Sequence, residues 1–516
     1  MPRAGKTSGG FEHRSHRSTR VVILLLGGVL SGALFTIALA ALFFVRSRGI
    51  ERTAPVIVVE EKGKIVSAKG IVIPLLVKDD GSGLERVIVW VQQSGKAKEV
   101  FRTTLPQQEK FAQQIEISPA TLGLNQGDVT LIVEATDASI WRNKSSRILS
   151  LSVDNDPPRI DVLARSESLT IGELGLAAYR VVDSSLKATG VSLKAKTGGE
   201  VRFDGRASKE IDAALNSSDL FLSFFTTSES CPSSASVFAT DEGENVSRSA
   251  FSLECQQAPK GASHQQVVTA EEILARAEQL IGGGNSWDDA LKREIANAKA
   301  EEPARGRTAA AAIARFLLTT AREADLEEVG KATRESPSSL RWWRNAARVG
   351  VFSERSGFHD TIVLADSQGA VASIRTYGSE MVPVQAGFSV VFSPYRGTVR
   401  MSRKLGVLGD VVVIDHGAGL SSVFYSLDGR YVENGASVEE GQQVGRIGDT
   451  GFHFSKALRM QFLLAGQPID PGALLDIQRF YQNVELPLNG VRSKIGVSSN
   501  PAGLRRPGWE DGKNLR

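Results

Sequence analysis

"GDVVVIDHGAGLSSVFYSL", Gly409–Leu427, runs from a β-branched stretch through a glycine-bounded turn into a second apolar stretch. That pattern is strand, tight turn, strand. The segments around it read the same way: "GFSVVFSPYRGTVRMS" (Gly387–Ser402), "GRYVENGASVEEGQQVGRIGDTG" (Gly429–Gly451) and "RMQFLLAGQPIDP" (Arg459–Pro471). Gly435 and Gly441 permit the sharp bends between such short strands. A compact antiparallel domain over residues 360–478 follows.

The first half is also β-rich, and it repeats. "APVIVVEE" at Ala54 matches "PPRIDVLA" at Pro157, and "VEATDASIWRN" at Val133 matches "VFATDEGENVS" at Val237. The offsets are domain-sized, and between the marks lie short alternating stretches such as Val87-Ile88-Val89-Trp90-Val91. Two immunoglobulin-like β-sandwiches are expected, at 54–155 and 156–256. Cys231 and Cys255 both fall in the second. Their spacing allows a single disulfide or two buried thiols, and it is not a close metal-type pair.

Between the two β regions, "TAEEILARAEQLI" opens with Thr269 and carries Glu272 three residues on, a capping box. Ile273, Ala277 and Leu280 then recur at helical spacing. Residues 269–348 therefore form a small helical region. Residues 479–516 grow increasingly polar and read as a fraying tail. Val21–Val45 carries no charge and, if helical, covers roughly 37 Å, the length of a bilayer crossing with some tilt. A basic tail, 1–20, precedes it. A transmembrane anchor is expected there, with a cleaved signal peptide ending near Ala38–Ala40 as the alternative. The bulk of the chain would then lie outside the cytoplasmic membrane. With 61 Lys and Arg against 58 Asp and Glu over 516 residues, the charge is nearly balanced, and nucleic acid is not expected as a partner.

Residues 388–471, through "VFSPYRGTV", "GDVVVIDHGAGLSSVFYSL", "VENGASVEEGQQVGRIGDTG" and "GQPIDP", resemble the LytM (lysostaphin-like) zinc metallopeptidases, which cut peptide cross-links of peptidoglycan. The resemblance implies a His and an Asp four residues apart, a His after a strand aromatic, and a closing His-x-His. Three of these hold zinc and two serve the attacking water, since zinc chemistry needs three protein ligands and one open position. Laid on that pattern, the first His falls at Gly378 and the Asp at Val382. The strand His falls at Ser426, beside Tyr425. The final pair falls at Ala457 and Arg459, followed by Gln461. Every catalytic and metal position is thus substituted, and a guanidinium stands where a dication belongs.

Other ligands do not assemble an obvious replacement. His416, in the "IDHG" turn, reads as structural, and His453 as an exposed loop histidine. His359 and Asp360 are neighbours on an extended chain and point to opposite sides. "VENGASVEEGQQVGRIGD" is also similar to the half-barrel of biotinyl and lipoyl carriers, but its hairpin tip lacks the carrier lysine. The resulting expectation is a mainly β, multidomain, membrane-anchored envelope protein with a degenerate LytM-like domain. Zinc is not expected, and no catalytic or metal-ligating residue is assigned. The domain would bind peptidoglycan or activate a wall hydrolase through a vacated groove lined by Gly378, Val382, Tyr425, Ser426, His453, Ala457, Arg459 and Gln461. The rivals are an active endopeptidase with unconventional ligands and a purely structural scaffold or adhesin.

Overall fold

The computed structural model describes residues 32–40, 51–60, 65–211, 215–282, 287–300, 306–334, 342, 347–385 and 387–496. They divide into two compact units: Met1–Asp156 with Glu242–Asn245, and Pro157–Asp241 with Val246–Arg516. In the first unit, strands Ile65–Ser67, Lys144–Asp154, Gly127–Asp137, Leu84–Gln93 and Lys96–Gln108 form one sheet, in that order. Val56–Val59, Ile71–Lys78 and Lys110–Ile117 form a second. Ile73, Leu75 and Val77 are buried while Val72 is exposed, so period-two alternation turns one face of this strand inward. They meet Val87, Val89, Leu131 and Val153 of the larger sheet in one core.

The second unit begins with another pair of four-stranded sheets, carried by residues 159–251. Cys231 and Cys255 form a disulfide there. Helices α1 (Ala270–Leu280), α2 (Asp288–Ala300), α3 (Gly306–Phe316) and α4 (Arg322–Thr333) follow, with a π-helical turn, Leu317–Ala321, joining α3 to α4. The Thr269 capping box is present in full: the Thr269 hydroxyl accepts from the Glu272 backbone N–H, and the Glu272 carboxylate accepts from the Thr269 N–H.

The C-terminal β region is built on an eight-stranded sheet. Its central strands are β1 (Ser379–Pro383), β2 (Gly397–Lys404), β3 (Asp410–Gly417), β4 (Leu420–Leu427) and β5 (Leu458–Leu464), in spatial order β1-β5-β4-β3-β2. The opening stretch is the β3–β4 hairpin, paired from Asp410↔Leu427 to Gly417↔Leu420. Ser263–Val267, Thr361–Asp366 and Gly369–Arg375 make a separate three-stranded sheet against the helices.

Three expectations are corrected. First, no helix among the described residues is long and apolar enough to cross a membrane. Of 21–45, only residues 32–40 are described; they are helical, and at about 1.5 Å per residue they reach roughly half of a hydrocarbon core. The rest of that stretch, and the tail 1–20, lie outside the described residues. The transmembrane helix, the membrane partner and the single-pass location inferred from it are withdrawn.

Second, the sheets at 159–251, expected as a domain of their own, share a unit with the C-terminal region. Leu176, Phe224 and Phe225 share a continuous core with Val412, Ile414, Phe424 and Phe462 of the C-terminal sheet. Trp342 joins the seam, 4.9 Å from Phe224 between ring centroids, and donates its indole N–H to the Gly417 carbonyl. Third, the expected tail begins as structure: Phe480, Val484, Leu488 and Val491 are buried along a helical stretch reaching Lys494. Residues 497–516 lie outside the described residues.

Candidate functional site

β1 and β5 run antiparallel with Glu380 opposite Arg459, and Tyr425 of β4 faces Arg459 from the other side. Strand periodicity puts residues 378, 380 and 382 on one face of β1, and 457, 459 and 461 on one face of β5. The Arg459 Nε donates to Glu380 Oε2 at 2.9 Å, with only 3% of the Arg459 side chain exposed. Its remaining donors reach Ser426 Oγ (3.2 Å), the Gly448 carbonyl (3.4 Å) and the Ser455 carbonyl (2.9 Å). Arg355 binds the other Glu380 oxygen at 2.9 Å. Burial weighs against the Arg459 charge, and Glu380 supports it. A guanidinium that stays protonated and spends its donors internally is not free to hold a carboxylate of the wall or of a partner.

Gly378 is fixed by space. A Cβ built there would lie 2.3 Å from the Met460 carbonyl oxygen, so no side chain fits without a backbone shift. Ser426 has φ +63°, a sparsely populated region for a non-glycine residue. Its N–H donates to the Leu408 carbonyl, and its hydroxyl accepts from Arg459. Ala457 is buried and bridged to Gly448, while Gln461 pairs across to Val423. Val382 is half-buried opposite Ser353 and stands apart from the pocket described next.

Gly378, Glu380, Tyr425, His453 and Arg459 line one side of a pocket. The chain's own helices roof it, with Leu318 and Arg322 at the lining. Arg322 lies over the Tyr425 ring, 5.9 Å from its centroid. Asp325 of α4 accepts from the Leu408 N–H, and Glu328 pairs with Arg403. Val329 and Leu326 pack on Met401, Leu405 and Val411, and α1 and α3 pack on Val407 and Phe452. The free volume beneath is about 40 Å³. It holds a few waters or one small group, not a peptide strand. The helical region thus closes over the side of the sheet that carries Gly378, Tyr425 and Arg459.

His453 is not an exposed loop residue. It is half-buried, its Nε2 is sealed from solvent without a hydrogen-bond partner, and its ring lies 5.8 Å from Tyr425. Burial, then Arg459, Arg322 and Arg276, hold its pKa well below the usual histidine value. His416 is spent inside the sheet, its ring nitrogens on the Arg396 carbonyl and Ser422 Oγ. Burial lowers its pKa from 6.5 to about 4. The folded state therefore keeps it neutral, while the unfolded chain takes up a proton below pH 6.5. Its contribution to stability is complete above that value and declines as the pH falls toward 4. By pH 5 the loss from His416 should reach about 2 kcal/mol. Urea unfolding of the wild type and of His416→Gln at pH 7 and 5 checks this: the variant should lose that part of the slope.

Residues 378–471 match the profile of peptidase family M23. The C-terminal domain is M23-like. Among solved structures, a peptidase M23 from Pseudomonas aeruginosa is 16% identical, covering 60% of this chain and 95% of that one with a TM-score of 0.34. The catalytic domain of lysostaphin from Staphylococcus simulans is 20% identical, covering 26% and 95% with a TM-score of 0.19. A zinc-containing peptidase from Vibrio cholerae is 11% identical, covering 67% and 80% with a TM-score of 0.21. These likenesses are too remote to assign a function. No curated protein matches the chain.

The M23-like site does not fit zinc. Among the described residues, the one group of three or more ligand-type side chains close enough to share an ion is Glu51, Asp79 and Asp137, which belongs to the first unit. The residue that sequence reasoning missed is Glu380. It lies midway between Gly378 and Val382, so alternation alone points it at the same face as both.

Proposed function

We propose that the protein is a non-hydrolytic, cell-wall-associated member of the M23 type that binds peptidoglycan or a wall hydrolase. On this reading Gly378, Val382, Ser426, Ala457 and Arg459 stand at the five positions where an active relative keeps its metal and catalytic groups. The carrying observation is the buried Arg459–Glu380 pair, a positive charge with its own counter-ion at the place of a dication. No zinc-bound water can be generated there, so no step through a metal is derived. The disulfide agrees with an oxidising compartment outside the cytoplasm.

The test uses the full chain. Elemental analysis after incubation with zinc should find well under one equivalent bound at the M23-like domain, with no release of fragments from cross-linked peptidoglycan. Co-sedimentation with purified sacculi should retain the protein if the wall itself is the ligand. One equivalent of zinc together with digestion would instead make it an endopeptidase.

A further inference from the structure

The pocket under the helical roof holds polar groups that the fold leaves unused. Ser356 is 3% exposed, and its hydroxyl has no hydrogen-bond partner. His453 Nε2, also without a partner, is sealed from solvent in the same wall. A buried hydroxyl or imidazole nitrogen left unsatisfied is costly, and such groups are rare in folded proteins.

Arg322 completes the set. The other cations nearby are matched: Arg459 and Arg355 by Glu380, and Arg276 by Asp449. Among the described residues Arg322 forms no ion pair. Its guanidinium lies over Tyr425, and Asp325, whose charge it feels, is engaged by the backbone of the loop at Leu408. The π-helical turn at Leu317–Ala321 brings Leu318 and Arg322 to the pocket together. The remaining lining mixes apolar Ile362, Leu364, Ile374 and Phe452 with Gln266, Thr376, Ser379 and Glu380, whose carboxylate is already matched by Arg459 and Arg355.

We infer that this pocket is a subsite for a single carboxylate group, held by the Arg322 guanidinium with Ser356 Oγ and His453 Nε2 as hydrogen-bond donors. A guanidinium fork matches a planar carboxylate, and about 40 Å³ suits one such group. The inference rests on the proposed function only for the source of the carboxylate, the free C-terminus of a wall peptide. It places carboxylate recognition on a cation that forms no ion pair among the described residues, not on the internally committed Arg459.

Calorimetric titration of the full-length protein provides the test, with N-acetyl-D-alanyl-D-alanine, its C-terminal amide, acetate and inorganic phosphate as probes. The free acid should bind saturably, the amide at least tenfold more weakly, and acetate should compete. Arg322→Gln should weaken the acid at least tenfold. Ser356→Ala should weaken it several-fold while leaving the melting temperature unchanged or higher, which a structural hydroxyl would not do. Acetate binding without peptide binding supports the subsite and overturns the wall as its source. No saturable carboxylate binding, equal binding by Ser356→Ala and wild type, or preference for phosphate overturns the inference and leaves a water-filled pocket. A zinc-free, inactive protein that binds no carboxylate sinks this inference alone and leaves the proposed function standing.

Discussion

Arg459→Met is expected to lower the unfolding free energy by about 3–5 kcal/mol, because one half of a buried ion pair is removed. The variant strands more than Glu380. The Ser455 carbonyl and the Ser426 hydroxyl lose their donor at the same time, and the Gly448 carbonyl keeps only the Ala457 N–H. Glu380→Met should cost a comparable amount by leaving a buried guanidinium without its counter-charge. Glu380→Met combined with Arg459→Met should recover most of the loss, since well-packed apolar side chains often replace a buried pair at little cost. Urea denaturation of the four proteins measures the coupling directly. Additive losses in the double variant would mean that the two residues act separately, and the reading of the pair as a substitute for a metal centre would fail.

Cys231→Ser should destabilise the second unit by about 3 kcal/mol, the chain-entropy cost of opening a loop of this size. The bonded cysteines are 24 residues apart, and Cys255 lies on a short strand paired in parallel with Ser168–Thr170. Leu169, opposite Cys255, belongs to the core that continues into the C-terminal sheet. Loosening the link therefore weakens packing well beyond the bond. Denaturation of the wild type with and without reductant, alongside Cys231→Ser, reads the effect. Superimposable curves would show that the bond contributes nothing to the folded state.

Strand alternation and turn glycines made the β3–β4 hairpin and the repeating sheets legible, because those signals are local. The Thr269 capping box and the stripe of Ile273, Ala277 and Leu280 likewise told which face of α1 is buried. They did not tell what buries it, and the answer, helices α2 and α3 together with Val407 and Phe452 from turns far along the chain, decides whether the groove is open. The substitution at Arg459 was readable, but its consequence was not, because the balancing carboxylate comes from another strand. His453 looked exposed because it sits in the loop before Ala457, whereas Tyr425 and Arg459 of the sheet and Arg322 of the roof all act on it. The helix before Lys494 was missed for a different reason: polar neighbours and Pro487 masked Phe480, Val484, Leu488 and Val491, whose spacing of three and four is helical. At residues 21–45 the uncharged stretch has the length of a span only if all of it is helical, and among the described residues no helix is long and apolar enough to cross a membrane.

The seam around Phe224, Trp342 and Phe424 limits how such a chain arises by recombination. A breakpoint between residues 256 and 360 would bare oily surface on both products, and neither would inherit a partner shaped to cover it. The 159–251 sheets and the region after residue 360 must therefore have travelled through gene history as one cargo, with each half constraining which mutations the other accepts.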